Sequence, residues 1–396
     1  MCASYSCQPL ASAAEVPAAA ERPALSLTPA TRSPLIAAGC YAVPVGDPDW
    51  PSDFRQQVLA TVADFVATRS AAELAGAGLT AAGEVLLRFV SGGKCLRSAF
   101  MYTGWLCGAA PSTAAVSAAA SLELLHAFAL LQDDVMDQSA DRRGRPAVHV
   151  QLARWYRKRG LSGLAGRFGE SAAILLGDLC LIWAEQMLRE SGVEARRLRQ
   201  VWPRYDAMRV ELAVGQFADL TNDIRDLPSL QAVLDIARRK SGNYTVRRPL
   251  EIGAAMAGCD GRTLTQLGRY GGDVGEAFQL RDDILGVFGS PATTGKPNGG
   301  DLLERKATSV VVAAHEMADP PARRELAELI HADHLDDAAL ERFRTLITAT
   351  GAAQRIEDMI RSRVQRSRKI LDDMAIDDCT RTALGNLADA CVERSA

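Results

Sequence analysis

The sequence predicts an all-α fold, and three observations carry that expectation. From Asp53 onward the chain runs in long segments of Ala, Leu, Arg and Glu whose apolar residues recur at spacings of three and four. The segments break at Gly or Pro, and almost nothing alternates with period two. With 396 residues, 48% of them hydrophobic, the chain can bury a large core, and residues 51–396 read as one helical domain.

Residues 1–50 are Ala-, Pro- and Ser-rich without a sustained period, the composition of a disordered extension. A plastid transit peptide is the alternative, against which stand Glu15, Glu21 and the scarcity of arginine. The formal net charge of -3 offers no global positive excess for nucleic acid or an anionic membrane, so any charge-driven function is local. Nine scattered cysteines without a CxxC predict free thiols in a reducing cytosol, hence a cytoplasmic protein. No run of about 18 uninterrupted apolar residues predicts an integral membrane segment.

Taken in order, SGGKCLRS (91–98) sets Lys94 and Arg97 one turn apart after two glycines. PST (111–113) then predicts the start of a helix, capped by Ser112 or Thr113, that runs through AAVSAAASLELLHAFALLQDDVMD. That helix is apolar nearly all round and therefore buried. On its wheel His126, Asp133 and Asp137 fall within about 40° of one another, with Asp134 at the edge of the group. DRRG (141–144) follows with Arg142 and Arg143; RRKSGNY (238–244) brings Lys240 beside Ser241. GEAFQLRDDILG (275–286) again leads an apolar helix into paired carboxylates, Asp282 and Asp283, with Gln279 one turn earlier. TGKPNGGDLLERKATS (294–309) adds Lys296 and Lys306, and SVVVAA (309–314) reads as buried helix rather than strand.

Several carboxylates on one helical face repel each other unless cations intervene, and hard divalent ions, Mg²⁺ above all, suit them. Two such helix ends facing each other predict a metal cluster that binds a diphosphate, with the basic clusters around it taking up the remaining charge. LDDMAIDD (371–378) repeats the aspartate spacing at Asp373 and Asp377 without basic or glycine-rich company, and reads as surface.

In their order, GGKCLR, DDVMD, RRG, GDLCLIWA (177–184), GQFADL (215–220), KSG, FQLRDD, GK and K-A-T resemble the motifs of the trans-isoprenyl diphosphate synthases, over about residues 85–310. The resemblance implies a single large helical bundle of the isoprenoid synthase type around a central apolar cavity, usually a homodimer. It implies that an allylic diphosphate (dimethylallyl, geranyl or farnesyl) is ionised and captured head-to-tail by isopentenyl diphosphate, with Mg²⁺ as cofactor. Carried over by motif, Asp133, Asp137 and Asp282 would hold the metal, supported by Asp134 and Asp283. Arg142, Lys240 and Lys296 would hold the allylic diphosphate; Lys94, Arg97, His126 and Arg143 would hold isopentenyl diphosphate. Lys306 belongs to the closing motif and counts among the substrate-binding residues, while Ser241 and Gln279 would steer the cation.

Three positions depart from the family pattern: Gly286 stands where many members carry a third aspartate, Cys95 replaces the usual arginine of GGKRLR, and Gln132 replaces a common histidine. For product length, the resemblance implies a geranylgeranyl diphosphate synthase with Phe128 as the stop. The wheel partly disagrees: Phe128 lies about 140° from Asp133, whereas Ala129, Leu125 and Leu122 point nearer the expected cavity. Farnesyl and longer products stay open at this stage. The alternatives from other classes are a class I terpene cyclase and a non-catalytic subunit of a heteromeric synthase. DDILG together with GGKCLR and KSG argues against the first, and the presence of both aspartate motifs against the second.

Overall fold

The computed structural model describes Val45, residues 49–222, Ile224, 226–289, 299–332 and 334–393. The expectation for residues 1–50 therefore falls almost wholly outside the described residues. Helix α1 (Trp50–Arg69) buries Phe54, Val58, Val62 and Val66, four apart on one stripe. Helices α2 (Thr80–Val90) and α3 (Leu96–Leu106) follow, and α3 is buried along nearly its whole length. Helix α4 (Thr113–Met136) starts at Ser112, whose backbone is extended as an N-cap requires but whose side chain makes no capping bond. Its buried Ala115, Ala118, Ala119 and Ala120 are small enough to admit neighbouring helices on several sides.

The one ladder among the described residues is a two-residue hairpin, Asp141–Arg142 against Arg145–Pro146, with Arg143 (φ 54°) and Gly144 (φ 70°) at its tip. Positive φ at both central positions is the geometry of a tight hairpin turn that matches strand twist. Helix α5 (Val148–Lys158) leads to two long helices, α6 (Ala165–Arg189) and α7 (Ala195–Leu220). Helix α8 (Leu230–Ala237) runs without a break into a π-helical stretch, Arg238–Arg247, and then α9 (Arg248–Ala257). The 28-residue α10 (Gly261–Phe288) follows, its start capped by Asp260. Beyond it come α11 (Gly300–Leu303), α12 (Ser309–Met317), α13 (Pro320–His331), α14 (Asp337–Ala349), α15 (Ala352–Asp372) and α16 (Asp378–Val392). The segment SVVVAA is helical and buried, as its surroundings predict.

Two apolar cores share α10 as a spine. Its first half, through Leu267, Tyr270 and Val274, packs with α1–α7, α9 and α16. Its second half, through Leu280, Ile284 and Val287, packs with α8 and α12–α15. Helices α4 and α6 are long and apolar enough to cross a membrane by length and composition alone, although 67% of the apolar window of α4 is buried inside the bundle.

Candidate active site

Where α10 passes from one core to the other, a cavity of about 1460 Å³ opens, walled by α4, α7, the π-helical stretch, α10 and the residues around α11. Its polar mouth is the meeting point of the two aspartate motifs. Asp133 and Asp134 sit in the last turn of α4 and Asp137 is its C-cap. Carboxylates at a helix C-terminus meet the negative end of the dipole, so they need cations from elsewhere.

The hairpin supplies the first. Arg142 pairs with Asp134, donating Nε to Oδ1 at 2.7 Å, and donates Nη2 to Asp133 Oδ2 at 3.3 Å. Lys240 reaches Asp133 at 3.3 Å and Asp219 at 2.6 Å, while Lys306 reaches Asp137 at 3.0 Å and Glu304 at 2.9 Å. Burial pushes the Asp133 carboxyl up, but Lys240, Arg142 and Lys306 outweigh it and hold it below the usual carboxylate range. Asp134 is only 1% exposed and burial raises it; its Oδ2 has no hydrogen-bond partner.

The π-helical stretch aims Lys240 and Ser241 into the cavity. It lies close to α7 because residue 215 is glycine: a Cβ there would come within 2.5 Å of the Lys240 nitrogen. On α10, both Asp282 and Asp283 line the cavity, and Asp283 is only 6% exposed. Asp283 accepts from Ser309 N at 3.0 Å, Ser309 Oγ at 2.6 Å and Gln279 Nε2 at 2.8 Å. Burial pushes its carboxyl up to about 6. The Gln279 side chain is thus occupied in holding Asp283.

The isopentenyl-side residues form a second group. Arg97 stacks over the Tyr244 ring at 4.3 Å and donates to Thr245 Oγ1 at 3.0 Å. His126 Nδ1 lies 3.3 Å from the Tyr244 hydroxyl. Burial, with Arg97, Arg143 and Arg142 nearby, keeps the His126 imidazole well below its usual range, and therefore neutral near pH 7. Lys94, Arg97 and His126 line the cavity; Arg143 does not. The positive φ of Arg143 turns its side chain the other way, onto the carbonyls of Gly92 (2.9 Å) and Phe89 (3.3 Å).

Two further expectations need correction or lie out of reach. Leu125 and Leu122 are fully buried in the core and do not line the cavity. From α4 the cavity takes Phe128, Ala129 and Leu130, and beside them Leu181 of α6 and Val210, Ala213 and Phe217 of α7. Lys296 lies outside the described residues.

Sequence reasoning passed over Gln216, Asp219, Asp301 and Glu304. Gln216 donates to Asp133 Oδ1 at 3.2 Å. Asp301 explains Gly286: a Cβ at residue 286 would fall 1.8 Å from Asp301 Oδ2, so the space of a third aspartate side chain is already taken by a carboxylate from α11. Each of the four lies inside a motif already singled out, GQFADL or TGKPNGGDLLERKATS, and in the second the acids near Lys296 and Lys306 were the available signal. Gln132 donates to Asp178 on α6 at 3.1 Å, tying α4 to α6 beside the cavity.

Among the described residues no three His, Cys, Asp or Glu side chains close a metal site by themselves. The donor set nonetheless fits a hard divalent ion: Asp133, Asp137 and Asp282 offer oxygen ligands around one open space. Mg²⁺ favours this arrangement, a few carboxylates with the remaining positions filled by substrate oxygens.

The family model for polyprenyl synthetase matches residues 81–347. The chain is 33% identical over 310 residues to a geranylfarnesyl diphosphate synthase of Aeropyrum pernix, covering 77% of this chain and 91% of that protein. It is 34% identical over 284 residues to a geranylgeranyl diphosphate synthase of Mycobacterium tuberculosis, covering 72% and 76%. A crystal structure of geranylgeranyl pyrophosphate synthase from Corynebacterium glutamicum, complexed with isoprenyl diphosphate and magnesium, superposes with a TM-score of 0.82 at 34% identity, covering 87% and 99%.

Proposed function

The chain belongs to the polyprenyl synthetase family and is a trans-prenyltransferase by class; from that premise we propose that it condenses isopentenyl diphosphate with an allylic diphosphate to give geranylgeranyl diphosphate. The observation that carries the reading is the single cavity in which Asp133, Asp137 and Asp282 meet Arg142, Lys240, Lys306, Lys94 and Arg97, with an apolar channel leading away past Phe128.

Asp133, Asp137 and Asp282 would hold Mg²⁺, which when bound neutralises the charge gathering on the departing diphosphate. Arg142, Lys240 and Lys296 bind the allylic diphosphate; their cationic groups favour the state in which the carbon–oxygen bond has broken and the electron pair has left with the diphosphate. Lys306 holds Asp137 in register. Lys94, Arg97 and His126 hold isopentenyl diphosphate so that its double bond faces the allylic carbon, and Arg143 braces the loop carrying Lys94. The new carbon–carbon bond leaves a cation that loses a proton to the released diphosphate, so no side chain has to act as general base. The Ser241 hydroxyl and the Gln279–Asp283 pair present oxygen dipoles along the cation's path. Apolar walls exclude water from the cation.

The names of the relatives differ in product length, so the geranylgeranyl product rests on Phe128 and Ala129, which line the cavity upstream of Asp133. A homodimer is supported by exposed large apolar side chains on two helices, Leu175 and Ile182 on α6 and Val210, Val214 and Phe217 on α7. A cytoplasmic setting accords with the free thiols of all six described cysteines. Incubation with Mg²⁺, isopentenyl diphosphate and each allylic diphosphate in turn, followed by sizing of the products, tests the reading. Geranylgeranyl diphosphate from every primer is expected, and Phe128→Ala should lengthen the main product. Absence of condensation with any primer overturns the reading, and farnesyl diphosphate as end product overturns its chain length.

A further inference from the structure

The loop that presents Lys94 and Arg97 does not hold its own shape. Gly93 (φ 131°) and Cys95 (φ 52°) both have left-handed backbones, and Cys95 does so as the N-cap of α3 without a capping side chain. A stretch of this kind keeps one conformation only if its surroundings over-determine it. Three elements do so here. From the hairpin, Arg143 donates to the Gly92 carbonyl at 2.9 Å. From α4, the buried Glu123 accepts from Ser98 Oγ at 2.8 Å, and its Oε2 lies 3.8 Å from the position of a Cβ on Gly93. From α1, Arg55 donates its Nε to the Gly93 carbonyl at 2.6 Å.

We infer that Arg55 is a positioning residue for isopentenyl diphosphate: it fixes the peptide immediately before Lys94 and so sets where that ammonium group sits in the cavity. The inference rests on Lys94 and Arg97 being ligands of isopentenyl diphosphate. It bears on Cys95, the departure from the family's GGKRLR pattern. The Cys95 side chain is 3% exposed and faces inward, so in this chain a guanidinium meets the loop from α1, 38 residues away in sequence, rather than from position 95. Arg55 is itself exposed and does not line the cavity, so it acts through the loop and not on the substrate. Holding a carbonyl through a charge-assisted bond pre-orders the loop before substrate arrives, which lowers the ordering cost of binding without touching the bond-breaking step.

Steady-state kinetics of the full chain test it, with each substrate varied in turn at saturation of the other. Arg55→Ala should raise KM for isopentenyl diphosphate about tenfold, the scale of one charge-assisted hydrogen bond. It should leave kcat and the allylic KM within about twofold, and Arg55→Lys should recover most of the loss. Lys94→Ala serves as the reference. A raised isopentenyl KM in Lys94→Ala but not in Arg55→Ala overturns the role of Arg55. No rise in either variant overturns the substrate assignment of the loop and the role of Arg55 with it. Equal rises in both KM values, or a lowered melting temperature in Arg55→Ala with no rescue by lysine, overturn positioning in favour of a general contribution to folding.

Discussion

The two aspartate pairs are built alike in outline and differently in charge. Asp133 and Asp282 line the cavity; of the second members, Asp134 does not and is buried against protein, whereas Asp283 borders the cavity yet is only 6% exposed. Asp134 is held by a guanidinium, that of Arg142. Asp283 is held by neutral donors, the Ser309 amide and hydroxyl and the Gln279 amide. The second aspartate of each pair is therefore engaged by protein donors and shapes its helix end. Burial raises the carboxyl of both second members, and only Asp134 has a guanidinium opposing the rise.

Neutralising the first members should give the largest effects. Asp133→Asn and Asp282→Asn are each expected to lower kcat/KM by roughly 10²–10³-fold, the scale of losing one preorganised electrostatic element. Removal of divalent cations with a chelator should abolish turnover in the unsubstituted protein, with recovery on adding Mg²⁺. If Asp282→Asn instead costs no more than Asp283→Asn, the division between the first and second members of the pairs fails.

The buried members should separate by stability. Asp134→Asn leaves the largely buried Arg142 guanidinium only its longer contact to Asp133, at 3.3 Å, and should cost about 3 kcal/mol. Asp283→Asn loses at most one acceptor while removing a buried charge, so its cost should stay near 1 kcal/mol. Urea unfolding of the two variants at neutral pH measures the difference; equal costs would show that Arg142 adds nothing that Ser309 and Gln279 do not. A smaller catalytic effect belongs to Asp301, pressed against Gly286. Gly286→Asp should be worse than Asp301→Asn in kcat/KM, because the added side chain has no space until Asp301 moves.

The fold class was legible because helix periodicity and the absence of alternation are properties of short stretches, as α4 and α10 show. The site was legible because acids and bases that must meet were packed into compact motifs: DDVMD and DRRG need only one hairpin to pair Asp134 with Arg142. What could not be read depends on where a side chain leaves the backbone. The left-handed φ of Arg143 sends it to loop carbonyls, away from the cavity. Residues of α6 and α7 line the cavity beside Phe128 and Ala129 while Leu125 does not, and no wheel drawn for α4 alone contains that information. Contacts between distant segments, Arg55 to Gly93 or Asp301 to the space beside Gly286, have no local signature at all.

The third acidic pair gives the comparison its sharpest control and its smallest expected effect. Asp373 and Asp377 have the spacing of Asp133 and Asp137, yet they do not share a helix. Asp373 is the C-cap of α15 and Asp377 the N-cap of α16, so the chain breaks between them and both side chains are exposed. Asp377 accepts from the Thr380 amide at 2.9 Å, satisfying one of the donors left open at a helix start. That is a local structural duty that Asp137, at the other end of its own helix, cannot share. Asp377→Ala is therefore expected to cost about 1 kcal/mol of stability, the ordinary value of an N-cap. Asp373→Asn should be neutral, and neither variant should alter kcat, KM or the Mg²⁺ dependence. A kinetic effect from either would mean that spacing alone makes such a pair functional; its absence leaves the basic residues around the cavity as the feature that separates DDVMD from LDDMAIDD.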